Sequence, residues 1–153
     1  MELKEKLRVK NFIVLKDVEI DIGRFNIVVG PQSSGKSLLA KLVHFFKGAG
    51  RDMSNGIVSE IDFDRIRVAL RGKFIDRFGF GSKSTEEYLI RYEFLGEYIE
   101  IRGRGSFVKF EFSQGFTGKY KEVIREYNEG IEAHRLSFPE DFLSFADKRE
   151  MLQ

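Results

Sequence analysis

The sequence feature that most constrains this chain is an eight-residue loop of the pattern GxxxxGK[ST], which lies between an apolar run and a helical pattern. The run, residues 25–29, is nearly continuous in apolar side chains, which is typical of a central strand covered on both faces of a largely parallel sheet. From Ser37 onward, apolar residues recur at helical spacing. A strand, this loop and a helix, in that order, are the context in which the pattern binds phosphate. The loop consists of Gly30, Pro31, Gln32, Ser33, Ser34, Gly35, Lys36 and Ser37.

The residue types of this loop predict a nucleotide site. Glycine and other small residues let successive backbone N–H groups turn inward on a phosphate, and the N-terminus of the following helix adds a positive partial charge. We expect Lys36 to reach the β- and γ-phosphates and the Ser37 hydroxyl to coordinate Mg²⁺. The sequence therefore predicts that residues 30–37 bind ATP together with Mg²⁺.

Composition excludes several other kinds of site. The 153 residues include no cysteine, so the chain forms neither a disulfide nor a thiolate metal site, and its two histidines make no metal cluster. No apolar stretch is long enough for a signal peptide or a membrane span, so we expect a cytoplasmic protein without a membrane partner. The 26 Lys and Arg residues against 24 Asp and Glu residues give a net charge of +2, which leaves DNA binding open but does not indicate it.

Hydrophobic periodicity predicts the elements around the loop. Alternating apolar residues between positions 7 and 22 indicate two half-buried strands of a hairpin or meander. The helix after the loop is predicted to end at Lys47-Gly48, because a cation in the last turn followed by glycine is a C-terminal signal. Residues 48–56 are then expected to be a loop, and residues 66–78 a second amphipathic helix that ends near Gly79. The glycine-rich residues 79–85 lack a glycine before their lysine and are predicted to be an ordinary loop.

The C-terminal half has a different hydrophobic pattern. Three alternating runs, residues 88–94, 98–101 and 107–112, are separated by glycines and predict an antiparallel β-meander. A third amphipathic helix is expected beyond Gly118, and the segment from Pro139 onward is expected to be helical as well. No internal repeat interrupts this order, so we predict one domain over residues 1–153.

Residues 7–43, LRVKNFIVLKDVEIDIGRFNIVVGPQSSGKSLLAKLV, resemble the opening of the ABC-type, AAA-family ATPases of the SMC, RecF and OLD group. That opening has a strand ending in an Asn-Phe pair, here Asn11-Phe12, then a second strand and a loop of the form GPNGSGKS. Ser33 stands where the common loop has glycine. Ile13-Val14 stand where many members have an arginine and a small polar residue that help to hold the nucleotide. The resemblance implies an α/β P-loop NTPase fold, namely an ABC-ATPase-like N-terminal lobe with an antiparallel β-meander and flanking helices.

The same resemblance implies what this chain would need for hydrolysis. A complete head of this kind has a second acidic motif, four apolar residues followed by Asp and usually Glu, and a Ser-Gly-Gly signature stretch, and neither is evident in the sequence. In the family both lie in a C-terminal lobe, so we expect that the chain stops where a helical arm begins, within residues 119–153. The implied partners are a nucleotide and a C-terminal ATPase lobe or a second head. The isolated chain is expected to bind nucleotide without hydrolysing it.

Two other classes of function remain open. A self-contained P-loop enzyme such as a nucleotide kinase would place a catalytic carboxylate on a strand beside residues 25–29, and none is evident. A nonenzymatic interaction module would retain the loop as a relic. Other candidate residues have plainer interpretations: His44 and His134 are expected at the surface or at helix ends, and the basic residues 102–109 at the tip of a charged hairpin.

Overall fold

The chain folds into a five-stranded sheet with three helices in the residues that the computed structural model describes, 5–59, 61–79 and 86–137. The strands are β1 (Glu5–Phe12), β2 (Leu15–Ile22), β3 (Tyr88–Phe94), β4 (Glu97–Arg104) and β5 (Phe107–Phe112). The helices are α1 (Lys36–Val58), α2 (Phe63–Phe78) and α3 (Gln114–Ser137). The predicted phosphate loop lies between β2 and α1.

The sheet has the order β2-β1-β3-β4-β5, and each of its four strand pairs is antiparallel. β1 lies between β2 and β3, so that Val9 pairs with Val18 on one side and with Ile90 on the other. The predicted hairpin near the N-terminus and the predicted meander are both confirmed. The alternation of side chains that predicted them also decides which residues share a face of the sheet.

The inner face of the sheet packs against the helices through a cluster of aromatic rings. Phe74 of α2 contacts Phe12 of β1 and Phe110 of β5, and the ring centroids are 5.8 Å apart in both pairs. Phe45 of α1 lies 5.4 Å from the same Phe74 and 6.3 Å from Phe110. Tilted and edge-to-face pairs of this kind add stabilisation beyond the burial of their apolar area. The cluster therefore joins α1, α2 and the sheet into one hydrophobic core.

The outer face of the sheet carries paired charges. Arg91 donates from Nε to Glu93 at 2.8 Å and from Nη1 to Glu100 at 3.2 Å, and its guanidinium lies 3.7 Å from the centre of the Tyr98 ring. Arg102 Nε contacts the second oxygen of Glu100 at 2.6 Å. Glu100 is buried beneath these two arginines, and a buried carboxylate is tolerated only when it is compensated in this way.

The prediction of a buried central strand in a largely parallel sheet is wrong. Residues 25–29 belong to no strand, and Phe25, Ile27 and Val29 are 82%, 74% and 85% exposed. A strand covered on both faces needs neighbours on its edges and a layer on each face. The two edges of β1 are already taken by β2 and β3, and no described residues cover the segment.

The first helix is longer than its sequence signals indicate. The predicted end at Lys47-Gly48 and the predicted loop over residues 48–56 are wrong, because α1 continues to Val58. Ala49 and Met53 are buried and extend the apolar face of the helix by two further turns. Burial of that face against the core outweighs the low helix propensity of the glycines.

A glycine within this extension permits close packing of the helices. A Cβ on Gly56 would lie 2.4 Å from Ile66 Cδ1 of α2 and 2.7 Å from the Tyr120 hydroxyl oxygen of α3. A side chain at this position would displace Ile66 and Tyr120. The glycine therefore permits the close contact of three helices and does not end α1.

The other helix boundaries agree with the sequence to different degrees. α2 ends at Phe78 and is followed by Gly79 with a φ of 72°, as predicted. α3 begins at Gln114, before the predicted start beyond Gly118. The loop predicted over residues 79–85 falls almost entirely outside the described residues, and the segment from Pro139 lies wholly outside them.

Candidate nucleotide site

The predicted phosphate loop leads directly into α1, which begins at Lys36. Leu39 N donates to Gly35 O at 2.9 Å, which fixes the first turn of the helix. Gly35 directly precedes the helix and has no side chain that could cap it, so the first N–H groups receive no acceptor from that position. Residues 30–34 are exposed. An anion can therefore approach the positive end of this helix from solvent.

The Lys36 side chain folds back across the loop. Its Nζ donates to the carbonyl oxygens of Gly30, at 2.8 Å, and of Pro31, and it lies 3.4 Å from Ser34 Oγ. These bonds hold the ammonium group of Lys36 against the first residues of the loop. Lysine has three donors and a compact charge, so this ammonium can exchange a carbonyl partner for a phosphate oxygen.

Gly35 fixes the loop against the turn between β1 and β2. A Cβ at this position would lie 2.6 Å from Leu15 Cδ2 and 3.0 Å from Val14 Cγ2, and the φ of Gly35 is 91°. A side chain at this position would be strained by the backbone conformation and would displace Leu15 and Val14. Glycine here thus permits the close approach of the hairpin turn, which places Val14 beside the loop.

Two residues near Gly35 hold unusual backbone conformations without being glycine. Ser33 has a φ of 62° and Ile13, in the hairpin turn, a φ of 55°. Such left-handed conformations cost non-glycine residues about 1–2 kcal/mol, and residues in them cluster at sites that bind ligands. Ser33 holds, without being glycine, a backbone conformation that glycine adopts without strain.

Helix α1 is fixed to the sheet by Glu5 of β1. The Tyr92 hydroxyl of β3 donates to Glu5 Oε2 at 2.7 Å, and Lys47 Nζ of α1 contacts the same oxygen. Burial acts to raise the pKa of the Glu5 carboxyl, but the hydrogen bonds from Lys47 and Tyr92 outweigh it and hold that pKa below its ordinary value. Burial and the bond to Glu5 raise the pKa of Tyr92. The helix that carries the loop therefore has an anchor on two strands.

The fit of Mg²⁺ depends on Ser37. This residue lies in the first turn of α1, next to Lys36, and its side chain is exposed. The described residues contain no group of three or more His, Asp and Glu side chains that could hold a metal ion. Mg²⁺ commonly binds through one or two protein oxygens together with phosphate oxygens and water. Ser37 fits that role as one ligand to a nucleotide-bound ion, but not as part of a site built by protein alone.

Several apolar side chains are exposed in the segments beside the loop. Ile13 and Val14 of the hairpin turn are 42% and 52% exposed, and residues 25–29 add a second exposed apolar row. The polar side chain within that row is already paired, because Asn26 Nδ2 donates to Gly23 O at 2.9 Å and Asn26 Oδ1 accepts from Gly23 N at 3.1 Å. Exposed apolar side chains therefore occur both in the hairpin turn that contacts Gly35 and in the segment that precedes the loop.

The remaining sequence candidates lie away from this loop or are already paired. His44 is exposed on α1, and the side chain of His134 falls outside what the structure describes. Arg102 pairs with Glu100, and Lys109 Nζ lies 2.6 Å from Glu111. The predicted charged hairpin is confirmed as a set of ion pairs on β4 and β5. DNA binding stays a prediction that these contacts do not test.

The contact between the hairpin turn and Gly35 was not predicted from the sequence. The available signal was the second glycine of the loop, which requires a close neighbour without saying which one. Comparison with profiles of protein families, with curated protein sequences and with solved structures finds no match. Within the described part of the chain, no helix combines the length and apolar character needed to cross a membrane.

Proposed function

We propose that this chain is a nucleotide-binding lobe that holds the phosphates of ATP in residues 30–37 and hydrolyses ATP only after a second lobe completes the site. The observation that carries the proposal is that Lys36, at the start of α1, folds back onto the exposed loop that precedes the helix. A compact cation and a helix N-terminus together favour a polyphosphate over other anions.

The exposed row at residues 25–29 supports the need for a second lobe. Phe25, Ile27 and Val29 leave most of their apolar surface in water, and Val28 is 45% exposed. Consecutive apolar residues in an extended segment are typical of a strand buried on both faces. A partner that pairs with this segment would bury it and would place its own side chains next to the loop.

The proposed partner also supplies the missing chemistry. Catalysis of phosphoryl transfer needs groups that order Mg²⁺ and orient the attacking water. Phosphate binding alone stabilises the ground state and the transition state alike, so it does not accelerate the reaction. A self-contained kinase would need a carboxylate on a strand beside the loop, and residues 25–29 have no such neighbour among the described strands.

Calorimetric titration with ATP and Mg²⁺ tests the binding step. In Lys36→Ala the loss of charge-assisted hydrogen bonds, about 1.5–3 kcal/mol, should weaken binding by roughly ten- to a hundredfold. Lys41→Ala is the matched control, because Lys41 is an exposed lysine on the same helix. Equal affinity of the unaltered chain and Lys36→Ala, with both folded, would refute the proposal.

A hydrolysis assay tests the second step. At high protein concentration with Mg²⁺, we expect the chain to release no phosphate above the level of Lys36→Ala. Robust turnover that depends on Lys36 would identify a self-contained enzyme instead. Absence of both binding and turnover would favour the third class of function, an interaction module with a relic loop.

A further inference from the structure

We propose that one edge of the sheet binds an extended, acidic segment of a partner protein, which adds to the sheet as a further strand. The edge is the side of β5 that faces away from β4, here called the open edge, and no described strand pairs with it. The strand that leads to the phosphate loop, β2, forms the opposite edge of the sheet. The proposal is therefore independent of nucleotide binding.

The hydrogen bonds at the end of β5 show which of its backbone groups face the open edge. Ser113 N donates to Tyr98 O at 3.1 Å, and Tyr98 N donates to Ser113 Oγ at 3.2 Å. These two residues continue the register of β4 and β5 as a hydrogen-bonded pair. Such pairs alternate along an antiparallel ladder with pairs whose N–H and C=O groups point away from the partner strand. The backbone groups of Val108 and Phe110 therefore face the open edge.

Arg71 of α2 reaches this edge. Its Nε donates to Val108 O at 2.9 Å, which agrees with an outward-facing carbonyl group. Among the described residues α2 takes part in two ion pairs, and Arg71 belongs to neither. A strand added to β5 would place an N–H group opposite Val108 O and replace Arg71 there. The displaced guanidinium then needs an acceptor, and a carboxylate on the added strand would accept strong, charge-assisted hydrogen bonds from it.

The charge of α2 favours an acidic partner over a second copy of this chain. The helix has five cations and two carboxylates, namely Arg65, Arg67, Arg71, Lys73 and Arg77 against Asp64 and Asp76. It packs beneath β5, where Phe74 contacts Phe110. A second copy paired at the open edge would bring two such helices together, and like charges at an interface repel.

The alternation of side chains along a strand defines the partner further. Every second side chain of an added strand would face the helices, and these positions lie on the side of Arg71. The remaining side chains would lie on the outer face of the sheet, where Phe107 keeps 60% of its surface exposed and offers apolar contact. The partner is thus an extended segment in which acidic and apolar residues alternate.

Titration with capped peptides at neutral pH tests the proposal without altering the protein. A peptide of alternating Glu and Val is the probe, and the same peptide with Gln in place of Glu is the control. Charge-assisted hydrogen bonds with Arg71 should make the Glu peptide bind about tenfold more tightly. Nuclear magnetic resonance should then show slower hydrogen exchange at the Phe110 amide, which the added strand covers. Equal affinity of the two peptides, or no binding of either, would overturn the proposal.

Two variants of α2 test the role of Arg71. In Arg71→Ala the preference for the Glu peptide over the Gln peptide should fall to about threefold or less. Arg77→Ala is the matched control, because it removes the same charge from the same helix beside the cleft between α1 and α2. It should leave the preference unchanged. An equal loss of preference in the two variants would show a general attraction of charges and would overturn the assigned contact.

Two further measurements test the addition of a strand. The Glu peptide with methylated backbone nitrogens keeps its charges but cannot donate to the carbonyl oxygens of Val108 and Phe110, so it should lose nearly all binding. Binding as tight as that of the unmethylated peptide would contradict strand addition. Analytical ultracentrifugation of the chain alone should show a monomer. A dimer in which the Phe110 amide is protected would show that a second copy occupies the edge, and the acidic partner would be wrong.

Discussion

The aromatic cluster of the core and the row at residues 25–29 are both rich in apolar side chains but have opposite environments. Phe74, in the cluster, is 1% exposed and contacts rings from both sheet and helices, whereas Phe25, in the row, is 82% exposed. The row follows two residues after the end of β2, one of the two edge strands of the sheet.

The difference between them lies in the number of available neighbours. The core combines side chains from β1, β5, α1 and α2, so each ring finds several partners at short distance. The row has no strand beside it and no helix over it in the described part of the chain. Apolar composition therefore determines how much apolar surface a segment could bury, and the topology of the chain determines whether neighbours are present to bury it.

The largest effect is expected from truncating the core ring. Phe74→Ala should lower the free energy of unfolding by about 3–5 kcal/mol, since it leaves a cavity among the surrounding rings. Phe25→Ala should change it by about 0.5 kcal/mol or less, as for other exposed positions. Urea unfolding followed by circular dichroism measures both values.

A milder substitution at the same position keeps the comparison measurable if Phe74→Ala does not fold. Phe74→Leu retains most of the volume and should lie between the other two variants in stability. A loss in Phe25→Ala as large as that in Phe74→Leu would show that the row is packed in solution, and the contrast between the two regions would not hold.

A smaller effect is expected where the loop contacts the hairpin turn. Gly35→Ala introduces a Cβ into contact with Leu15 at a φ of 91°, which should cost about 2–4 kcal/mol locally and abolish measurable binding of tripolyphosphate. The matched control is Gly48→Ala, because a Cβ on Gly48 meets no atom within 4 Å. In the middle of α1 that change should stabilise the protein by about 0.5–1 kcal/mol. Unchanged phosphate affinity in Gly35→Ala would contradict the tight contact described here.

The smallest effect concerns the anchor of α1 and depends on pH. The pKa of Glu5 is lowered in the folded protein, so its contribution is complete above the ordinary pKa of 4.5 and is lost as pH falls through the lower folded value. Glu5→Gln should therefore cost about 1 kcal/mol at neutral pH and less at pH 3, which is below the ordinary pKa.

Unfolding of the two proteins across this pH range provides the measurement. Glu129→Gln is the control, because Glu129 lies on α3 in an exposed pair, 3.7 Å from Arg125. Equal costs of Glu5→Gln at both pH values would show that the hydrogen bonds from Lys47 and Tyr92 do not depend on the charge of Glu5.

The sequence was sufficient to predict those elements whose hydrophobic pattern matches the environment that they have in the fold. The strands of the hairpin and of the meander alternate because one face meets the helices and the other meets water, and both were predicted. The extension of α1 was missed because Gly48 resembles a stop signal, and local signals cannot show that Met53 would be buried. The prediction for residues 25–29 failed for the opposite reason. Their apolar pattern indicates a buried strand, but none of the described residues buries them.

The candidate site was predictable in its residues but not in its surroundings. The motif located residues 30–37 at the start of a helix, because helix geometry and glycine content are local properties. The contact of Gly35 with Val14 joins positions that are distant in sequence, and the sequence of the loop does not indicate which residue that neighbour is. The conformation of Ser33, with its φ of 62°, likewise becomes visible only in three dimensions.

The central place of β1 in the sheet has a consequence for the order of folding. β1 is the first strand of the sheet, and one of its two neighbours is β3; Glu5 and Tyr92, which meet across this pair, are 87 positions apart. A hairpin of β1 and β2 forms early from local contacts, but the other edge of β1 stays open until β3 has been synthesised. During that interval Leu7 and Val9 face water on a hairpin that is marginally stable by itself. Ribosome-bound chains that end before β3 should therefore remain open to chaperones and to proteases, and become protected once β3 emerges.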